Sequence, residues 1–217
     1  MKLLEKYNRA LVEKNKVMNL TAHKTEEQSW KNNVQDSLLF NDVIASALSG
    51  CETPKIVDLG SGGGSPAIPL KISFSQIDMT MIDSVGKKVI FLNDVISELK
   101  LENCRAEHAR IEDFCKNNRE CFDAVTARAV APFNTLIEYA LPLLKVGGLL
   151  FAYKGVNANE EIALSHNALL KLGGEVEKIE SASLDLETTR HLVLVRKTKK
   201  TPMEYPRGRN LPRLKPL

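Results

Sequence analysis

The residues with the clearest chemical potential surround a glycine-rich segment, IVDLGSGGGSPAIP, at positions 56–69. Two apolar residues lead into Asp58, four glycines fall within five positions, and Pro66 follows, a residue type that suits the first turn of a helix. A glycine-rich turn between a strand and a helix brings backbone N–H groups and the helix N-terminus close to a ligand. The segment therefore predicts a site for a nucleotide-like ligand.

The spacing of the glycines separates the possible ligands. A dinucleotide turn reads GxGxxG, but the third position is Ser65 when counted from Gly60 and Ala67 when counted from Gly62. Since some dinucleotide turns tolerate alanine there, a nicotinamide-dependent oxidoreductase stays open as an alternative. A Walker loop ends in lysine followed by serine or threonine, which this turn does not contain, so ATP binding by that route is excluded.

Two carboxylates favour S-adenosylmethionine. Asp58 stands two positions before the first glycine, where it would repel a pyrophosphate and suit an ammonium group. S-adenosylmethionine carries such an amine, and its carboxylate can meet backbone N–H groups at a helix N-terminus. Asp83 ends the next predicted strand and is placed to accept hydrogen bonds from both ribose hydroxyls, a role compatible with capping the following helix. This pattern resembles that of class I methyltransferases.

The adenine end of such a ligand should meet the segment HARIEDF, which follows the third predicted strand. Ile111 would pack on the ring, and Glu112 or Asp113 would accept the exocyclic amine. The other interpretation of Glu112 is an exposed acid near a helix start. The local sequence leaves both interpretations open.

The elements that must position these residues alternate along the chain. Helices are predicted after the glycine turn and over 86–101, 133–145 and 159–174. The predicted strands cover residues 55–59, 77–82, 103–109, 122–127, 149–155, 175–183 and 191–197. This order predicts an α/β fold: a Rossmann-like, mostly parallel seven-stranded sheet, with helices on both faces and ligands at the carboxyl ends of its strands.

Three parts are expected in the 217 residues. Helical patterns over 2–18 and 25–48 predict an N-terminal helical appendage, residues 1–50. The alternating region makes the main domain, residues 51–200, and residues 201–217 form a basic tail expected to pack on or near the active-site face. Residues 196–217 hold eight basic residues and one acid, against 22 basic and 26 acidic residues before them. The tail is therefore where a polyanion would bind, or else it is a solvated segment that only maintains solubility.

Other classes of protein are disfavoured. No run approaches the roughly 18 apolar residues of a membrane helix, so no membrane association is expected and the predicted location is the cytoplasm. The four cysteines form no CxxC pair and are interpreted as reduced thiols. Cys104, His108, Cys115 and Cys121 match no usual zinc spacing, so no metal site is predicted.

The segment TARAVAPF, after the fourth predicted strand, indicates the methyl acceptor. It contains no cysteine nucleophile and no paired prolines, which disfavours cytosine-C5 and amino methylation. A nitrogen with a free lone pair, such as guanine N7, needs neither a nucleophile nor a general base, because in-line displacement depends mostly on positioning. Arg128 would pair with the methionine carboxylate or with a substrate phosphate.

Taken together, the motifs resemble those of the RsmG (GidB) family, methyltransferases of small-subunit ribosomal RNA. The resemblance covers nearly the whole chain, and it is carried in order by MNLTA (18–22), DSL (36–38), DLGSGGGSPAIPL (58–70), MIDSVGKKVIFL (81–92), TARAVAP (126–132), LPLLKVGG (141–148), KG (154–155) and the terminal YPR…KPL (205–217). It implies transfer of a methyl group from S-adenosylmethionine to N7 of a guanine in the decoding-region loop of 16S rRNA. The implied partner is 16S rRNA within the small subunit or its precursor, and a monomer is expected.

The resemblance also implies site residues. With the residues argued above, the predicted cofactor set is Asp58, Gly60, Gly62, Ser65, Asp83, Ile111, Glu112 and Arg128. No catalytic acid or base is predicted, although Arg128 and Lys154 are candidates for positioning the substrate. The predicted RNA-facing residues are Asn33, Lys154, Arg207, Arg209 and Arg213.

Three departures from the family pattern bear on these expectations. Ser65 and Ala67 replace a bulky apolar residue and a glycine, which predicts weaker cofactor affinity unless a neighbour compensates. Asn32 and Asn33 replace an Arg-His pair and remove a cation from the expected RNA face. The segment GRNLP (208–212) replaces a Gly-Thr-Pro-like turn. These departures keep a non-catalytic ribosome-assembly factor open as an alternative.

Overall fold

The computed structural model describes residues 1–185 and 188–217. The helices are α1 (Lys2–Asn15), α2 (Glu26–Ser29), α3 (Asp36–Leu38), α4 (Asn41–Leu48), α5 (Ala67–Ser73), α6 (Gly86–Leu99), α7 (Ile111–Asn117), α8 (Phe133–Ala140), α9 (Ala158–Ala163), α10 (His166–Leu172) and α11 (Leu211–Leu214). A π-helical turn (Trp30–Gln35) joins α2 to α3, and a 3₁₀ turn (Leu141–Leu143) follows α8. The strands are β1 (Lys55–Leu59), β2 (Asp78–Asp83), β3 (Cys104–His108), β4 (Phe122–Arg128), β5 (Leu144–Lys154), β6 (Gly174–Ser183) and β7 (Thr189–Lys197).

The seven strands form one sheet in the order β3-β2-β1-β4-β5-β7-β6. Strands β1 to β5 pair in parallel, while β7 lies antiparallel between β5 and β6. The predicted mostly parallel α/β sheet is confirmed. Strand order reverses direction between β1 and β4, and the carboxyl ends of these two strands are where a doubly wound sheet opens a crevice for ligands.

Two apolar layers cover the sheet. One contains the N-terminal helices: Tyr7, Leu11 and Val34 pack in the same cluster as Ile56 and Phe151 of the sheet. The other face packs α8 and α10 against strand residues such as Val57 and Val125. Because N-terminal side chains are part of the main core, the first fifty residues form a layer on the sheet and can position groups at its edge.

Several predicted helices are interrupted in the structure. The predicted helix 25–48 contains the π-helical turn and is broken again at Phe40, whose backbone is not helical. The helix over 159–174 divides into α9 and α10 near Ser165. The helix over 133–145 ends at Ala140 and tightens into the 3₁₀ turn at Pro142, because proline lacks the N–H that a helix interior needs. In the described ranges no helix is long and apolar enough to cross a membrane.

Candidate active site

Two adjoining cavities open at the carboxyl ends of the central strands. The smaller cavity, of about 260 Å³, extends from Gly60 past Asp83 to Glu112. The larger cavity, of about 690 Å³, is lined by residues of the N-terminal region, the segment 128–132 at the end of β4, and residues of β5 and β7. Ala129, Val130 and Arg213 line both cavities. The arrangement provides two neighbouring binding spaces with these three residues between them.

The glycine turn has the backbone that its composition predicts. Gly60 takes a left-handed φ of +63°, and an added Cβ there would approach Val130 to 3.2 Å. Gly62 is also left-handed, with φ +57°, and its N–H donates 2.9 Å to Asp83 Oδ2. The turn is thus tied to the end of β2 and lies directly beside the smaller cavity.

Ser65 faces the N-terminal helix. Its Oγ lies 2.8 Å from the hydroxyl of Tyr7, which also donates to the carbonyl of Gly63 at 2.9 Å. Ser65 is not among the residues that line either cavity. The hydroxyl of Ser65 therefore pairs with the phenol of Tyr7 on α1, and this contact supports the glycine turn on the side away from the cavity.

Asp83 closes β2 and lines the smaller cavity. Its Oδ2 accepts the Gly62 N–H, and its Oδ1 accepts the Val85 N–H at 2.8 Å. The residue is 7% exposed. Since each carboxylate oxygen can accept more than one hydrogen bond, both oxygens retain acceptor capacity toward the cavity.

Asp58 lies beneath the turn, 1% exposed and outside the lining of both cavities. Its Oδ1 accepts a 2.7 Å hydrogen bond from Thr126 Oγ1, while its Oδ2 finds no partner within the described part of the chain. Burial raises the pKa of this carboxyl to about 6. An unpartnered buried oxygen of this kind would be satisfied by a cationic donor brought by a ligand.

The buried carboxyl of Asp58 predicts a specific pH dependence of stability. Since the folded protein holds the Asp58 proton more tightly than the unfolded chain does, ionisation costs stability as the pH rises from 3.8 through about 6. The unfolding free energy of an Asp58→Asn variant, minus that of the wild type, should therefore rise by up to about 3 kcal/mol from about pH 4 to pH 7. Urea unfolding of both proteins across this range measures the difference, in which other titrating groups cancel. A difference that does not change with pH would contradict the interpretation.

Glu112 stands at the far end of the smaller cavity, in the first turn of α7. It is 9% exposed, so it is buried, and its Oε1 lacks a hydrogen-bond partner among the described residues. Ile111 lines the same wall. An apolar surface beside an unpartnered acceptor suits a flat heterocycle that carries an amino group.

The smaller cavity therefore fits the nucleoside part of S-adenosylmethionine. Asp83 supplies acceptors for vicinal hydroxyls, Ile111 an apolar face, and Glu112 an acceptor without a partner. Gly60 leaves the space that a side chain would fill. These are observations of the site itself, and they match the ligand expected from the two aspartates.

Arg128 ends β4 and lines only the larger cavity. Its guanidinium donates to the Asn32 carbonyl and to Asp36 Oδ2, both at 3.0 Å, and to Asn33 Oδ1 at 3.3 Å. Asp36 is 5% exposed and also accepts a 2.6 Å hydrogen bond from Arg190 Nε. The structure thus ties Arg128 to the N-terminal helices at the larger cavity, and both partners that the sequence left open for it, the methionine carboxylate and a substrate phosphate, stay possible at this position.

Asp36 and Arg190 were missed by sequence reasoning as site residues. Asp36 lies in the DSL motif, but its partners are 92 and 154 residues away along the chain. No local pattern reports such a pairing. The inward position of Asn33 could not be predicted either, because it depends on the π-helical turn. Its amide there donates to Ser29 Oγ and Thr21 Oγ1.

Lys154 ends β5 at the wall of the larger cavity. Its ammonium donates 2.7 Å to Glu161 Oε2 and 3.0 Å to the Ala131 carbonyl, and its side chain is 9% exposed. Among the described lining residues, the cationic side chains outnumber the carboxylates; they are Arg128, Lys154, Arg190 and Arg213, against Asp36 and Glu161. The cavity is therefore suited to a ligand with negative charge.

The three predicted arginines of the tail differ in their surroundings. Arg207 forms a two-point ion pair with Glu138, which is fully buried, through Nε–Oε1 (2.9 Å) and Nη2–Oε2 (2.6 Å). Arg209 is exposed. Arg213 reaches both cavities, and its Nη2 donates 2.8 Å to the Val130 carbonyl. Only Arg213 of these three lines the candidate site.

Comparison with known proteins gives consistent results. The family model described as rRNA small subunit methyltransferase G (GidB) matches residues 1–193. Proteins named ribosomal RNA small subunit methyltransferase G are 40% identical in Oceanobacillus iheyensis and 42% identical in Desulfitobacterium hafniense. Both alignments cover 97% of this chain, and they cover 88% and 87% of the two relatives.

Solved structures share the fold at low sequence identity. An rRNA methylase from Streptococcus thermophilus aligns with a TM-score of 0.55 at 18% identity, covering 72% of this chain and 95% of its own. TYW2 of Pyrococcus horikoshii, in complex with MeSAdo, aligns with a TM-score of 0.59 at 18% identity, covering 76% and 63%. The sheet therefore has the class I methyltransferase fold.

Proposed function

Since the chain belongs to the GidB family of small-subunit rRNA methyltransferases, we propose that it methylates N7 of a guanine in 16S rRNA, with S-adenosylmethionine as donor and by in-line displacement without a covalent enzyme intermediate. The observation that carries this proposal is the pairing of the two cavities. One has the acceptors for a nucleoside, and the other has a surplus of cations.

The smaller cavity is the proposed cofactor site. Asp83 would bind the ribose, Ile111 would pack on the adenine and Glu112 would accept its amine, with Gly60 and Gly62 allowing close approach. Asp58, buried beneath the turn with one unpartnered oxygen, is proposed as the countercharge for the ligand's ammonium group. When bound, S-adenosylmethionine supplies an electrophilic methyl group, so the chain's own task is to orient the acceptor and exclude water.

The larger cavity is the proposed guanine site. Among the described residues lining it there is no cysteine, which agrees with an acceptor that needs no protein nucleophile. Arg128 and Lys154 are proposed to position the RNA, with Asn33 holding the N-terminal wall. Of the two partners that the sequence left open for Arg128, the substrate phosphate is the proposed one, because its donors face Asp36 and Asn33 at the larger cavity.

We further propose that the protein acts as a monomer in the cytoplasm on 16S rRNA within the small subunit or its precursor. Residues from the N-terminal region (1–50) and from the tail (201–217) both border the cavities, which supports contact with RNA from both ends of the chain. The exposed Arg209 is proposed to contact RNA from the tail. The ion pair of Arg207 with Glu138 instead supports an anchoring role for that residue.

The proposed activity predicts 7-methylguanosine as the product. Small subunits that lack the modification should accept labelled methyl groups from S-adenosylmethionine, and digestion of their 16S rRNA should yield labelled 7-methylguanosine at about one equivalent. Subunits that were methylated beforehand serve as the control and should accept little label. Protein that is folded and binds S-adenosylhomocysteine, but yields no 7-methylguanosine, would instead favour a non-catalytic assembly factor. Stabilisation by NAD alone would favour an oxidoreductase.

A further inference from the structure

The C-terminal segment, residues 205–217, is fastened to the body by buried contacts. Arg207 holds the fully buried carboxylate of Glu138 at two points, and its backbone N–H donates to the same carboxylate at 2.8 Å. Pro212 is buried, and its carbonyl accepts a 2.8 Å hydrogen bond from Thr135 Oγ1. Both anchors lie on α8. These contacts give the segment one defined position. A tail that only maintained solubility would not need such anchors.

This fixed position brings two tail residues to the wall of the smaller cavity. Asn210 and Arg213 line it together with Ile111 and Glu112, the proposed adenine contacts. Arg213 also borders the buried Tyr139. Burial is the main cause of the raised pKa of the Tyr139 hydroxyl, and a hydrogen bond with Arg213 acts against it. The tail is therefore part of the nucleoside end of the site.

The guanidinium of Arg213 also holds the boundary between the two cavities. Its Nη2 donates 2.8 Å to the carbonyl of Val130. Val130 is the side chain nearest to the space above Gly60, and the preceding Ala129 has a left-handed φ of +56°. For a residue with a Cβ this conformation is strained and must be held by its surroundings. Arg213 provides one such restraint.

We propose that the C-terminal segment completes the cofactor site and that Arg213 is its positioning residue, acting through Val130. This inference rests on the proposed function and deepens it: the sequence predicted that Arg213 faces RNA, and Arg213 does line the larger cavity, but its contact with Val130 gives it a second role at the cofactor side. The ligand concerned is the adenosyl group of S-adenosylmethionine or S-adenosylhomocysteine. RNA is not required for the effect.

The test is calorimetric binding of S-adenosylhomocysteine to the full chain without RNA. Arg213→Ala should raise the Kd about tenfold, as expected for losing a hydrogen bond from a charged donor. Arg213→Lys should keep most of the affinity, since an ammonium can still donate to the Val130 carbonyl. The matched control is Arg209→Ala, which removes the same charge from the same tail at a position that lines neither cavity and, with no RNA present, should leave the Kd unchanged.

A second measurement does not depend on any variant folding. In the wild type, saturating S-adenosylhomocysteine should slow amide hydrogen exchange in peptides covering 205–217. Unchanged exchange would overturn the proposal. An equal Kd for Arg213→Ala and wild type would also overturn it, and a higher KM for subunits in that variant would then point to an RNA role. An equal loss of S-adenosylhomocysteine affinity in Arg209→Ala would overturn it as well. Failure of the proposed function would look different, because the wild type would then bind no S-adenosylhomocysteine or make no 7-methylguanosine.

Discussion

Replacing Asp83 by alanine should weaken S-adenosylhomocysteine binding by a factor of about 100 or more. The change removes the acceptor that holds the N–H groups of Gly62 and Val85, so the glycine turn loses its tie to β2. It also removes the proposed acceptors for the ribose. Hydrogen bonds to a charged group contribute about 1.5–3 kcal/mol each, and about 1.4 kcal/mol corresponds to a factor of ten in affinity.

Asp78 offers a matched control on the same strand. It begins β2, where its carboxylate pairs with the half-exposed guanidinium of Arg105 at the surface. Because surface ion pairs contribute little, Asp78→Ala should bind S-adenosylhomocysteine like the wild type. Isothermal titration of the three proteins measures the effect, and Asp83→Asn should fall between Asp83→Ala and wild type. If Asp83→Ala bound S-adenosylhomocysteine with wild-type affinity, the proposed contact between Asp83 and the ribose would be contradicted.

The ends of the strands were the most predictable part of the site. Asp58 and Asp83 follow short apolar runs, and parallel strands bring their carboxyl ends to one edge of the sheet, so these aspartates could be placed from the sequence. Glu112 was left with two interpretations because one turn of sequence does not reveal burial. The structure shows it buried beside the cavity.

Contacts between distant segments were not predictable in the same way. Tyr7 reaches the glycine turn from 56 residues away, and Arg207 finds Glu138 across 69 residues. Such partners depend on how α1 and the tail lie on the sheet, and no local periodicity encodes that. Ser65 illustrates the consequence: its departure from the family pattern suggested a weakened cofactor contact, whereas the structure turns it toward Tyr7.

The largest structural effect outside the cofactor cavity is expected for Asp36. Its carboxylate accepts from Arg128 on one oxygen and from Arg190 on the other. Asp36→Ala leaves both guanidiniums without their shared acceptor, and breaking a buried ion pair in this way costs about 3 kcal/mol. We expect a lower free energy of unfolding by about this amount, and methyl transfer to small subunits reduced at least about tenfold, because Arg128 is no longer held at the guanine site.

Binding of S-adenosylhomocysteine decides where Arg128 acts. Because Asp36 and Arg128 line the larger cavity and not the smaller one, Asp36→Ala should keep its Kd for S-adenosylhomocysteine within about twofold of wild type while methyl transfer falls. Asp42→Ala, which changes an exposed carboxylate in the first turn of α4, is the control and should alter neither property. Calorimetry and the labelled-methyl assay on the same preparations separate the two effects. A parallel loss of cofactor affinity in Asp36→Ala would return Arg128 to the cofactor side, because it would mean that the network built on Asp36 supports the smaller cavity as well as the larger one.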